Sequence, residues 1–309
     1  MKRLISHEEL ARDSRFKRVR NRNTLLSGVP DDSEAIAKAL EQAAPAIRRR
    51  VEGTALEAVF DELGPGFQML MNSAPVEKDA PGFELQLRVR LHGIFVGEMQ
   101  ALEAAGRTLW DFPEAPWEFK MNMARQCWDE TRHVQIFEKL MDLVHCAVGD
   151  YPESTFLFEA SCADDPVFRV AGVNRCLEGL ACDVFRDLID LADRMHDPVM
   201  KQAVDYVLAD ELTHVRFGSD WVREFTKGDA DKGKAVKAYQ REVETSFAFG
   251  GNRRIARDVR REAGFTEEEM DEIESLGSDG PKRDTLRRAA ELVRDRHHAR
   301  QRGEQVAAL

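Results

Sequence analysis

Two five-residue runs in this sequence could carry chemistry: Asp129-Glu130-Thr131-Arg132-His133 and Asp210-Glu211-Leu212-Thr213-His214. Both read Asp-Glu-x-x-His. A Glu and a His three residues apart leave one helix face about a turn from each other, a spacing that lets a carboxylate and an imidazole meet one metal ion. One such run in a charge-rich helix would be weak evidence, because a solvated Glu and a surface His have the same spelling. Here each run is matched by a lone upstream acid. Glu98 and the Glu130/His133 pair lie equally far from a turn near residue 115, and Glu178 and the Glu211/His214 pair equally far from one near residue 195. Facing positions of two antiparallel hairpins therefore carry the same set. Glu98 to Glu178 spans 80 residues, and Glu130 to Glu211 and His133 to His214 span 81 each, the mark of a duplicated half-site. Glu103 would put the first turn inside the second helix of its hairpin and is set aside.

The surroundings of the lone acids are apolar: Ile94, Phe95, Ala101 and Leu102 about Glu98, and Ala181, Cys182 and Phe185 about Glu178. An ionised carboxylate there costs several kcal/mol unless a cation or hydrogen bonds satisfy it. The competing reading is a buried ion-pair network of the four Glu and two His with Arg132, Arg175 and Arg216. That network supplies no reason for the twofold repeat.

The elements that must position these residues are helices. Apolar residues recur at i, i+3, i+4 and i+7, and alternating strand-like runs are missing. Helical signals cover Asp32–Arg50, Gly53–Leu63, Phe83–Trp110, Pro116–Cys146, Pro166–His196, Pro198–Thr226 and shorter stretches between Asp231 and Arg300. Asp165-Pro166 and Asp197-Pro198 place a capping acid before a proline at the first helical position. The four long helices are joined by a short, a long and a short connection, the middle one running from Ala147 to Asp165. An all-α four-helix bundle with one long crossover follows, spanning 81–228, with an N-terminal helical extension (1–80) and a C-terminal one (229–309) packing on the bundle. The last stretch, with Arg283, Arg287, Arg288, Arg294, Arg296 and Arg300, reads as a solvated helix.

Composition narrows the class. The chain has 309 residues, 45 Lys+Arg against 56 Asp+Glu, and a formal net charge of −11. An acidic surface repels phosphate backbones, so nucleic acid is not the expected partner, although the basic stretch from Lys2 to Arg22 could make a local contact. No apolar run is long enough to span a bilayer and no signal peptide is evident, so a cytoplasmic protein with no membrane partner is expected. The five cysteines are odd in number and lack CxxC spacing, and read as reduced thiols.

Glu98, Glu130/His133, Glu178 and Glu211/His214 resemble the ligand set of the ferritin-like non-haem di-iron carboxylate proteins over Phe83–Thr226. The Asp-Glu-Thr-Arg-His run is similar to the Asp-Glu-x-Arg-His signature of bacterial multicomponent di-iron monooxygenases; the second copy lacks the Arg. The wider sequence, including Pro116-Trp117-Glu118-Phe119 and Arg260-Arg261-Glu262-Ala263-Gly264-Phe265, is similar to a sparsely characterised ferritin-like domain family. The resemblance implies two iron ions (Fe/Fe, or Mn/Fe), O₂ as cosubstrate, and hydrogen bonds from ligand His to Asp129 and Asp210.

Phe137 stands where a radical-generating ribonucleotide reductase subunit would carry Tyr, paired CxxC motifs of a rubredoxin domain are missing, and Val207 replaces the seventh-ligand His of arylamine N-oxygenases. The implied function is an O₂-activating oxygenase or oxidase acting on a small organic molecule. A ferroxidase or peroxide-scavenging protein, and an iron-binding structural or storage protein, are the alternatives. Without a GxGxxG fingerprint or an iron–sulfur cysteine cluster, the electrons would come from an external ferredoxin or reductase. A homodimer is compatible with the sequence. Ala101, Leu102, Gln126, Cys127, Phe137, Arg175, Ala181, Cys182 and Phe185 lie a turn or two from ligands and form the candidate substrate pocket. Of these, Arg175 is expected to bridge to a ligand or to Asp129, with anchoring of a substrate carboxylate or phosphate as its other reading.

Overall fold

The computed structural model describes residues 26, 28–53, 56–67, 69–70, 83–151, 153, 155–246, 255–276 and 283–304. Among the described residues all regular structure is helical. The basic stretch from Lys2 to Arg22 lies outside them.

Two antiparallel hairpins build the centre. The first is α3 (Phe83–Asp111) and α4 (Trp117–Leu143); α1 (Ser33–Val51) and α2 (Leu56–Leu63) precede it. The second comprises α6 (Pro166–Val170), a π-helical stretch Ala171–Leu177, α7 (Glu178–Met195) and α8 (Pro198–Thr226). Both Asp-Pro starts cap as expected: Asp165 accepts from the Val167 N–H, and Asp197 from those of Val199 and Met200. The sequence reads 166–196 as one uninterrupted α-helix, but its Ala171–Leu177 portion is π-helical. A π turn closes i→i+5 and leaves no signature in apolar periodicity.

The crossover runs beside α3 in the same direction. Cys146 Sγ meets the Arg88 carbonyl, the Gly149 N–H donates to His92 Nε2, and the Phe158 N–H donates to Gln100 Oε1. Within the crossover, α5 (Phe156–Ala160) forms a single short helix. At its far end Arg169 reaches Asp111 at 2.7 Å and stacks on Phe112. The order 88, 92, 100, 111 along α3 shows that the crossover returns the chain to the end where α3 stops, so α6 and α3 start from opposite ends.

The main core fills the bundle between the hairpins, with Phe137 and Phe185 stacked at 5.6 Å between ring centroids. Beyond it come α9 (Ala230–Ser246), α10 (Arg257–Glu262) and α11 (Glu267–Ser275). Arg260 on α10 is fully buried and holds Asp183 of α7 through Nε (3.0 Å) and Nη2 (2.7 Å), which fastens this segment to the bundle. The last helix, α12 (Arg283–Gln301), is a correction to the sequence reading. It is not solvated: Leu286, Ala289, Ala290 and Val293 are buried, and the helix packs on α1 and α2. Its apolar face is narrow and built largely of small residues, and its arginines lie outside it, Arg296 pairing with Glu34 and Arg300 with Glu41. No helix among the described residues is long and apolar enough to cross a membrane.

Candidate metal centre

Each hairpin presents its acids at one depth, as equal distances from the turns require. Glu98 on α3 faces His133 on α4, with Oε2 3.3 Å from Nδ1. The two hairpins then close on each other, and Glu98, Glu130, His133, Glu178, Glu211 and His214 form one buried cluster. Glu98, Glu130, His133 and Glu211 make up one set of converging ligand atoms, and Glu130, Glu178, Glu211 and His214 a second.

Glu130 and Glu211 belong to both sets, and their oxygens divide between the rings. Glu130 places Oε2 3.0 Å from His133 Nδ1 and Oε1 3.3 Å from His214 Nδ1. Glu211 places Oε1 3.2 Å from His133 Nδ1 and Oε2 3.4 Å from His214 Nδ1. Both Nδ1 atoms thus point inward, while both Nε2 atoms point at aspartates. His214 Nε2 lies 3.1 Å from Asp129 Oδ2, and His133 Nε2 lies 3.3 Å from Asp210 Oδ2. An Nε2–H donated to a carboxylate leaves the Nδ1 lone pair available to a cation. Arg132 donates from Nη2 to both aspartates, at 2.8 Å to Asp210, and Arg125 adds a bond to Asp129.

The carboxylates and imidazoles of the cluster shift one another. Burial, reinforced by Glu211 and Glu130 against the hydrogen bond from His133, pushes the Glu98 carboxyl well above its ordinary value. Burial together with Glu211 and Glu130 does the same to Glu178. Burial would lower both histidines, but the carboxylates around them outweigh it and raise both. Against burial, the two rings hold Glu130 and Glu211 below the usual carboxylate range. Both Glu211 oxygens and His214 Nδ1 are buried without a well-aligned hydrogen bond. Four carboxylates and two neutral imidazoles carry a charge that two divalent cations would balance, and this O/N donor set suits iron, manganese or zinc. The residues fit a pair of metal ions.

The competing ion-pair network is not what the arginines form. Arg132 goes to the aspartates, Arg216 to Glu262, and Arg175 to Ser219 (2.8 Å) and Glu269 (2.9 Å) with its guanidinium over the Phe265 ring. For Arg175 this corrects the expected bridge, since it reaches neither a ligand nor Asp129; it lies outside the cleft beside Glu98 and Glu178 and lines a separate recess with Phe265 and Glu269. Because it lies in the π-helical stretch, three residues before Glu178 no longer means the same face.

The other pocket candidates separate into four places. Ala101, Ala181 and Phe185 line a cleft that reaches Glu98 and Glu178. Phe137 and Cys182 are core, and burial and Glu211 push the Cys182 thiol well up. Leu102 and Cys127 meet at the α3–α4 seam, with Cys127 Sγ 4.0 Å from the Leu102 carbonyl. Gln126 instead belongs to the cluster: its Nε2 donates to Glu178 at 2.8 Å and to Glu130 at 3.2 Å, and its Oε1 accepts from Asn174 Nδ2 at 2.9 Å. Asn174 is absent from the sequence reading. It sits in the π-helical stretch, which brings it over Gln126, and only recognition of that turn would have singled it out.

The family described as "Protein of unknown function (DUF455)" matches residues 40–271, which include both hairpins and all six cluster residues. No curated protein and no solved structure matches the chain.

Proposed function

We propose that this chain, which belongs to the DUF455 family, is a non-haem di-iron oxidoreductase that uses O₂ to oxidise a small organic molecule. The observation that carries the reading is the pair of overlapping ligand sets sharing Glu130 and Glu211. The arrangement is similar to that of ferritin-like di-iron carboxylate proteins, in which two Glu and two Glu-x-x-His project into a bundle. A bound iron pair would supply two electrons to O₂ and open coordination positions.

The chain's own groups do the rest. Glu98, Glu130, Glu178 and Glu211 hold the charge, Asp129 and Asp210 fix both rings with Nδ1 inward, and the stacked Phe137 and Phe185 belong to the apolar core of the same bundle. The electrons that restore the reduced state come from an external ferredoxin or reductase.

Anaerobic loading with Fe(II), metal analysis, and stopped-flow absorbance on mixing with O₂ test the reading. Two irons per chain and a transient whose decay is coupled to oxidation of an organic molecule support it. A ratio near one argues for a mononuclear site. Repeated turnover of Fe(II) with a growing mineral core and no organic product establishes the ferroxidase alternative.

A further inference from the structure

A cleft of about 310 Å³ opens between α3 and the Leu177–Phe185 segment, and Glu98 and Glu178 form part of its wall. Most of the remaining wall is hydrocarbon, with Ile94, Leu157, Leu180 and Val184 among it. Two helix-interior glycines, Gly93 and Gly97, also line it, and a Cβ built on either meets nothing within 4 Å. Glycine in a helix interior costs about 1 kcal/mol relative to alanine. No neighbour forces that choice here, and its effect is to keep the space open.

Outside the metal cluster, the polar groups of the cleft are committed elsewhere or, for Glu153, negative. Gln100 accepts from the Phe158 N–H and donates to the Val96 carbonyl. His92 Nε2 accepts from the Gly149 N–H, so that nitrogen carries no proton. Glu153 is half-exposed beside it. No Lys or Arg is among the described residues of the wall.

We propose that this cleft binds an uncharged, mainly apolar molecule about the size of two fused rings, and that it excludes carboxylates and phosphates. The size follows from volume: an apolar cavity of about 150 Å³ holds benzene, and this one is about twice as large. The exclusion follows from the wall: a carboxylate or phosphate would lose its hydration between hydrocarbon side chains with no Lys or Arg among the described lining residues to replace it, and Glu153 stands beside His92 in the wall with the same sign of charge. The inference rests on the di-iron reading above for its catalytic meaning, naming the substrate class of that site, but the binding itself does not require metal.

2-Naphthol and 2-naphthoate share one ring system and differ in charge at neutral pH. Titrated into the full chain, with and without Fe(II), 2-naphthol should bind at least about tenfold more tightly. Gly97→Leu should weaken 2-naphthol by at least about tenfold while iron content is unchanged. Gly93→Leu, at the more exposed of the two glycines, serves if the first variant folds poorly. Equal or tighter binding of 2-naphthoate, or 2-naphthol binding indifferent to both substitutions, overturns the proposal. Glycine-sensitive 2-naphthol binding by a chain that takes up no iron would sink the di-iron reading and leave the cleft standing. Iron uptake and O₂ consumption without 2-naphthol binding would do the reverse.

Discussion

Asp129 is bonded in sequence to Glu130, yet its carboxylate supports the ring of His214, 85 positions along the chain. Asp210 crosses the other way to His133. Neither half-site carries its own support, and Arg132 ties the two supports together. The second run has Thr213 where the first has Arg132, so one guanidinium serves both.

This crossed arrangement predicts shared damage. Asp129→Asn and Asp210→Asn should each weaken Fe(II) binding within the ~10–100-fold range of such supporting groups. Arg132→Met should weaken both iron sites at once. The double Asp variant should lose less than the sum of its parts, because Arg132 couples them. Fe(II) titration of the four variants is the measurement, and strict additivity would contradict the coupling.

Glu98 and Glu103 differ in what they face. Glu98 is 5% exposed and lies against His133, whereas Glu103 is exposed. Glu98→Ala should lower iron content or abolish the reaction with O₂, and Glu103→Ala should leave both unchanged. Metal analysis showing the opposite ranking would refute the hairpin register.

Proton release should accompany metal uptake. In the metal-free cluster Glu98 and Glu178 are raised by burial and by neighbouring carboxylates, and His133 and His214 are raised because those carboxylates outweigh burial. A raised group keeps its proton to higher pH than usual and must lose it to bind a cation. Affinity therefore climbs with pH and collapses as pH falls. Calorimetric titration with Fe(II) in buffers of different ionisation enthalpy counts the protons. A count of zero at pH 7 is the adverse result.

The π-helical stretch should be sensitive at a glycine. A Cβ on Gly218 of α8 would lie 2.4 Å from Asn174 Cβ, so Gly218→Ala must move a backbone and should destabilise by about 1–3 kcal/mol. Asn174 orients Gln126, so iron affinity should fall as well. Gly106→Ala is the control: its nearest neighbour, Cys127 Sγ, is 3.7 Å away, and the change should be neutral or stabilising by up to about 1 kcal/mol. Thermal melts and Fe(II) titration compare them.

The parts legible in sequence are those governed by helical spacing. Glu98 and His133 could be placed opposite each other because a short turn fixes the register, and the Asp-Pro pairs marked two helix starts. The destination of Asp129 was not legible, since spacing gives the face a residue leaves from but not the helix it reaches. Arg175 was misplaced because an i→i+5 turn rotates everything before Glu178 without altering the hydrophobic pattern. In α12, Ala289 and Ala290 are buried but give a weak apolar signal beside so many arginines.

The crossover has a consequence for how such a protein can diversify. It is topologically required, to bring the chain back along α3, and it also supplies Glu153 and Leu157 to the wall of the cleft. Connecting segments accept insertions and substitutions more readily than packed helices do. Relatives with a different crossover would present a differently shaped recess to the same six ligands. None of the six cluster residues lies on the crossover, so that part of the wall can drift while the cluster is held.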